Sequence, residues 1–190
     1  MSDQVSATVD RKRFYNPFAE LSHANGVLLA NAKEQHDGWL YECMTSILIS
    51  AFSFEAFLNL VGERLFPFWS DVERPLQLMT KLKIVLQRTG VNPDFGARPY
   101  QTLTALLRFR NSLAHPKPEW LVETGVKEEG SLEQMRRTKP PVEWEANCTL
   151  AFAERVHEDV AAIATDLWRA AGLPDDELHM RGHGYSIRAS

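Results

Sequence analysis

The sequence predicts an all-α protein, a bundle of four to five helices with a long loop or a small hairpin inserted before the last helix. Three observations support this fold class. Apolar residues recur every three to four positions in five segments, which is the helical period. A proline or glycine follows each segment and marks its end. Strand-like patterns are confined to two short stretches.

The first two predicted helices span residues 17–33 and 39–66, with Gly38 between them. Pro17 is suited to the first turn of a helix, where a backbone N–H has no partner to lose. The second segment carries apolar residues on both faces of its middle and ends at Pro67. A helix that is apolar almost all round is buried, so we expect this one to be the centre of the bundle.

The remaining predicted helices span residues 74–88, 98–114 and 147–171. Gly90 follows the first of them as a stop signal, and Gly172 and Pro174 follow the last. The fourth helix is expected to stop at or before His115, because the residue that precedes a proline is driven out of the α region.

The chain is predicted to form one helical domain over residues 17–174. Residues 1–16 are predicted to be a flexible N-terminus and residues 175–190 a polar C-terminal tail. An insertion at about 117–145 contains Gly125, Gly130, Pro140 and Pro141, with strand signals at 120–123 and 142–144 that suggest a small hairpin. A loop of this length is typical of a functional or a disordered segment.

Composition indicates a cytoplasmic protein with no membrane span. The N-terminus lacks the apolar stretch of a signal peptide, and the longest apolar run is interrupted by Glu55 and Asn59. Cys43 and Cys148 are expected to be buried thiols rather than a bridge. The net charge is −4, yet residues 81–117 hold seven basic residues and one acid. Such a run can create a local anion site, or it can disperse over separate helix faces.

The stretch from Arg110 to His115, Arg-Asn-Ser-Leu-Ala-His, carries the main chemical signal. A histidine at a helix end is exposed and exchanges protons near neutral pH. An arginine one turn earlier can hold a phosphate with its planar set of donors. On an ideal helix the two side chains are about 140° apart, so they converge only if the helix frays at Pro116 or a second subunit contributes.

Arg110 lies on the apolar stripe of its helix and therefore needs a partner, because an unpaired buried charge is very costly. Glu55, in the middle of the central helix, is the expected partner, directly or through water. Arg108, Asn111 and His115 follow a second stripe. Charge and spacing make Arg108 and Lys117 candidate contacts to the phosphate backbone.

Residues 110–115 resemble the Arg-x4–6-His motif of the HEPN superfamily, in which a polar residue usually follows the arginine. Residues 48–60, LISAFSFEAFLNL, resemble the superfamily's second helix. The resemblance covers roughly residues 18–171 as an architecture, and the insertion has no counterpart in it. It implies a homodimeric, metal-independent endoribonuclease without a cofactor, a candidate toxin or phage-defence effector whose partners are RNA and an antitoxin protein.

The same resemblance implies a role for each motif residue. His115 would act as general base or acid on the 2′-hydroxyl and the leaving 5′-oxygen. Arg110 would stabilise charge on the scissile phosphate, Asn111 would orient the phosphate or His115, and Glu55 would hold Arg110. The product end would be a 2′,3′-cyclic phosphate.

Two other interpretations stay open from the sequence. A non-catalytic HEPN-like scaffold could keep the Arg110–Glu55 pair for packing and bind a nucleotide or a partner protein. His179 and His183 have the spacing of metal ligands, but Gly182 and Gly184 argue against a helix there, and a polar tail is favoured. His157 is expected on a solvated helix face, and Trp120 and Trp144 are expected to pack in the hairpin.

Overall fold

The computed structural model of the chain describes residues 7–127 and 129–189. Five helices of twelve residues or more form its body, and shorter helices and two strands complete it. The elements in chain order are β1 (Ala7–Arg13), α1 (Pro17–Lys33), α2 (Trp39–Leu65), α3 (Trp69–Val72), α4 (Leu78–Thr89), α5 (Tyr100–Ala114), α6 (Leu132–Arg137), α7 (Glu143–Asn147), α8 (Leu150–Ala170), α9 (Asp175–Leu178) and β2 (His183–Ala189).

Helix α2 lies at the centre of the bundle, as the sequence predicts. Helices α1, α4, α5 and α8 all pack against it. Its core side chains are fully enclosed, among them Ile47, Phe54, Phe57, Leu58 and Val61. Burying an aliphatic or aromatic side chain of this size stabilises a fold by about 1.5–3 kcal/mol each. The mostly helical class predicted from the sequence is therefore confirmed.

Local signals set most helix ends. Asn16 begins α1, where its side-chain oxygen accepts a hydrogen bond from the Ala19 amide at 3.2 Å. Thr149 begins α8 in the same way, accepting from the Phe152 amide at 3.1 Å. Gly90 ends α4 in the left-handed conformation, with φ of 74°. The observed bounds of these helices lie within four residues of the predicted ones.

Gly62 allows α3 to pack closely on α2. Any Cβ at this position would overlap the indole ring of Trp69, which is buried. The glycine is needed here for space.

The two ends of the chain are paired, which corrects the prediction of a flexible N-terminus and a polar tail. Strand β1 pairs with β2 in an antiparallel register, with Val9 opposite Ile187 and Arg13 opposite His183. The Phe14 amide extends the pairing by donating to the Gly182 carbonyl at 2.8 Å. Each strand lies at the opposite end of the sequence from its partner, so no local turn signal reveals the pairing. Residues 1–6 and 190 lie outside the described residues.

The insertion forms two short helices, α6 and α7, and its predicted hairpin is wrong for the described residues. Pro140 and Pro141 have no N–H to donate to a strand ladder. The Glu145 carboxylate accepts from the Val142 amide at 2.9 Å and caps the start of α7. Trp144 packs on the core, while Trp120 is 96% exposed. The hairpin packing expected for these two tryptophans is absent from the described part of the chain.

Both cysteines are free and buried, as predicted. The Cys148 thiol donates to the Leu40 carbonyl at 3.1 Å. Burial, with smaller contributions from Cys43 and Glu145, raises the pKa of Cys148 to about 11, so it is protonated at neutral pH and unreactive. By length and composition α2 could cross a membrane, and half of its apolar window is buried inside the bundle.

Candidate functional site

Helix α5 ends at the predicted motif. Its last helical residue is Ala114, and His115 leaves the helix with φ of −130° and ψ of 27°. The His115 amide still donates to the Asn111 carbonyl at 3.2 Å, which fixes the turn before Pro116. The helix therefore ends before Pro116, as the sequence predicts.

Arg110, Asn111 and His115 line one open cleft of about 530 Å³, here called the His115 cleft. The segment from Arg74 to Met79, which leads into α4, also lines the cleft, together with Glu55 and Leu107. A single chain therefore brings the predicted arginine and histidine into a common space. Its volume is within the range of ligand pockets.

The guanidinium of Arg110 is available to a ligand. It is half-buried, and its Nη1 donates to the Asn111 side-chain oxygen at 3.3 Å. Among the side chains that the structure describes, no carboxylate lies within ion-pair distance of it. His115 is exposed beside it. An arginine without a carboxylate partner next to an exposed imidazole can bind an oxyanion and exchange a proton with it.

Glu55 forms its ion pair with Lys81, which sequence reasoning missed. The Lys81 ammonium donates to the Glu55 carboxylate at 3.0 Å. Lys81 is 3% exposed, whereas Glu55 is one-third exposed and faces the cleft. The direct Glu55–Arg110 pair expected from the sequence is thus not formed. The spacing of Lys81 with Leu78, Leu82 and Val85, on the apolar stripe of α4, is the signal that could have identified it.

The basic run at residues 81–117 disperses over several surfaces. Arg98 binds the buried Asp159 through two nitrogens, at 2.8 and 2.9 Å. Arg108 lines a different pocket, beside Phe95 and Trp144. Lys117 is exposed beyond the helix end and does not line the cleft. Neither of the two predicted phosphate contacts joins the site. Positions 108 and 110 are about 160° apart on α5, and Lys117 lies beyond the end of that helix.

Arg74 is a cleft residue that sequence reasoning missed. It lies in the segment between α3 and α4, is exposed, and lines the cleft with Arg110 and His115. It lies in the turn at residues 73–76, which the hydrogen bond from the Leu76 amide to the Glu73 carbonyl closes at 3.2 Å. Only the tertiary structure brings Arg74 to the same cleft as the motif.

A second polar cluster lies between α1, α2 and α8, and it corrects the expectation for two histidines. His157 is half-buried and bonds to the Asn25 side chain at 3.1 Å, so it does not lie on a solvated face. His179 packs its ring on Phe18 with centroids 5.3 Å apart, and His183 begins β2. Within the described residues, no group of three or more histidine, cysteine or acidic side chains could hold a metal ion.

Comparison with known proteins finds no match: no family model, curated protein or solved structure is significantly similar to the chain.

Proposed function

We propose that the protein is a metal-independent endoribonuclease of the HEPN type, and that its active site is the His115 cleft. The observation that carries this proposal is the shared cleft of Arg110, Asn111 and His115, in which the guanidinium has no carboxylate partner among the described side chains and the imidazole is exposed. A motif kept only for packing would bury its arginine in an ion pair and cover its histidine.

The proposed reaction is a transesterification on the RNA backbone. His115 takes the proton of a 2′-hydroxyl, whose oxygen attacks the adjacent phosphorus. The bond from phosphorus to the 5′-oxygen breaks, and that oxygen leaves with a proton, so the products carry a 2′,3′-cyclic phosphate and a 5′-hydroxyl. General acid–base catalysis of this kind contributes about 10²- to 10⁴-fold to rate.

Arg110 would neutralise the charge that develops on the non-bridging phosphate oxygens, and Asn111 would hold its guanidinium in place through their 3.3 Å hydrogen bond. Arg74, which lines the same cleft, would bind a neighbouring phosphate. Glu55 would act through its ion pair with Lys81, which holds the Glu55 carboxylate at the cleft, rather than through Arg110.

His115 is the one histidine among the described residues that line the cleft, and it can act as the base or as the acid but not as both at once. A homodimer that joins two His115 clefts would supply the second proton-transfer group, and we include this dimer, in the cytoplasm, in the proposal. A non-catalytic scaffold is the second candidate. The apolar residues that follow the motif favour it, because they are exposed and fit a partner protein such as an antitoxin. They are Trp120, Val122 and Val126.

The test is cleavage of a labelled structured RNA in EDTA by wild type and by His115→Ala. The matched control is His36→Ala, which removes an exposed histidine from the connection between α1 and α2. We expect a loss of about 10²- to 10⁴-fold in His115→Ala and none in His36→Ala, with a 2′,3′-cyclic phosphate as the product end. Equal cleavage by all three proteins, or none by folded wild type, would favour the scaffold.

A further inference from the structure

A second cavity, of about 280 Å³, lies where α1, α2 and α8 meet, and it shares no residue with the His115 cleft. We call it the serine–histidine cavity. Hydroxyl and imidazole groups dominate its polar lining, which also includes one guanidinium. These residues are Ser22, His23, Ser53, His157, His179 and Arg181. Among the described residues that line it there is no carboxylate, which is unusual in a chain with an acidic balance.

The wall of this cavity is a buried hydrogen-bond network built around Asn25, which is 1% exposed. The Asn25 amide nitrogen donates to the Ser50 hydroxyl at 2.7 Å, and its oxygen accepts from the Ser46 hydroxyl. Ser50 in turn donates to the Ser46 carbonyl at 3.0 Å. These groups form hydrogen bonds with one another, so their positions are fixed in the absence of a ligand.

The same network determines which nitrogen of His157 carries a proton. The Asn25 amide nitrogen is 3.1 Å from Nδ1 of His157, and an amide nitrogen can only donate. Nδ1 must therefore accept, which leaves the proton on Nε2 of the neutral ring. Burial lowers the pKa of His157, in keeping with a neutral imidazole. The ring retains one donor, Nε2–H, that the network does not use.

Further donors come from the hydroxyls and from Arg181. Ser22 and Ser53 share one hydrogen bond at 3.2 Å, so one of their two hydroxyl hydrogens remains available. Arg181 contacts Glu20 at 3.6 Å, but Glu20 is held more closely by Arg13, at 2.6 Å. Two guanidinium groups therefore share one carboxylate, which leaves one positive charge in excess beside the cavity.

We propose that the serine–histidine cavity binds a phosphate group, either as inorganic phosphate or as the 5′-phosphate of a mononucleotide. A tetrahedral oxyanion accepts several hydrogen bonds at once, and this lining offers several donors and an excess cation without a repelling carboxylate among its described residues. The cavity volume is just below the usual range of ligand sites, which fits a ligand of this size. The proposal does not depend on ribonuclease activity in the His115 cleft.

The test is calorimetric titration of the full-length protein with inorganic phosphate and, separately, with adenosine 5′-monophosphate. Arg181→Gln removes the positive charge of the guanidinium, and His157→Phe removes the Nε2–H donor while keeping a planar ring of similar size in its place. Loss of a hydrogen bond to a charged group weakens binding by about tenfold or more. The matched control is Arg88→Gln, which changes net charge equally at an exposed site on α4.

Arg110 could also bind phosphate, so the titrations are repeated in Arg110→Gln. Binding that persists in Arg110→Gln and Arg88→Gln but weakens in Arg181→Gln establishes the second site. Tighter binding of the nucleotide than of phosphate identifies a nucleotide ligand, and equal binding identifies the phosphate group alone. The proposal is overturned if neither ligand binds. It is also overturned if binding is lost in Arg110→Gln alone, and that result would locate anion binding in the His115 cleft.

Discussion

The two faces of α2 carry polar groups of different kinds. One face presents Ser46 and Ser50 to Asn25, which also bonds to His157, and presents Ser53 to Ser22. Every one of these groups is neutral. The opposite face presents Glu55, which lines the His115 cleft, to the buried Lys81. The neutral groups form hydrogen bonds with one another, whereas the charged pair keeps one partner, Glu55, in contact with solvent.

This difference follows from the cost of burial. A hydroxyl or an amide can be enclosed once its hydrogen bonds are made, but an ion also loses its hydration. The ion pair between Glu55 on α2 and Lys81 on α4 reduces that loss, because Glu55 is one-third exposed and keeps part of its hydration while Lys81 is enclosed. The neutral network joins α1, α2 and α8, while the Glu55 carboxylate stays partly exposed at the His115 cleft. The proposed chemistry is assigned to that cleft because Arg110, Asn111 and His115 share it.

The largest expected effect compares Arg110 with Arg108, two arginines on one helix. Arg110→Ala is expected to reduce RNA cleavage by about 10²- to 10³-fold, because it removes the group that neutralises the scissile phosphate. Arg108→Ala should leave cleavage near the wild-type value, since Arg108 lines another pocket. The measurement is kcat/KM on one RNA. Similar losses in both variants would mean that the cleft does not separate the two side chains.

The next effect concerns the stability of the charged face. Glu55→Ala is expected to lower the free energy of unfolding by about 3 kcal/mol, because it leaves the Lys81 ammonium buried without its partner. Glu63→Ala, at an exposed position of the same helix, should change it by less than about 0.5 kcal/mol. Urea unfolding measures both, and an equally small effect at the two positions would show that Lys81 finds another partner or reaches water.

The smallest expected effect is a pH dependence of protein stability that arises from His157 on α8, which belongs to the neutral network. Burial lowers the pKa of His157 below its ordinary value of 6.5. Between these two pKa values the residue is protonated in the unfolded chain and neutral in the folded protein. The stability linked to this residue is fully present above pH 6.5 and is lost as the pH falls through the lower, folded pKa. We expect the melting temperature of wild type to fall more steeply below pH 6.5 than that of His157→Gln. Parallel curves would contradict a buried neutral imidazole.

Local patterns predicted much of the fold. The apolar period located all five long helices, and the prolines and glycines located most of their ends, because both signals act within a few residues along the chain. The motif residues were identified in the same way: Pro116 ends α5 where expected, and His115 leaves the helix. The chemical identity of the Arg110–His115 site is therefore a property of the sequence.

Contacts between distant segments decided the rest. The sequence by itself determined the helical class, the helix ends and the candidate catalytic residues, since each depends on neighbours within about one turn. Only the tertiary structure paired Glu55 with Lys81, brought Arg74 to the same cleft as Arg110, placed Arg108 in another pocket and paired β1 with β2. The physical reason is that an ion pair, a cleft and a strand pairing each depend on the packing of elements that are far apart in the chain.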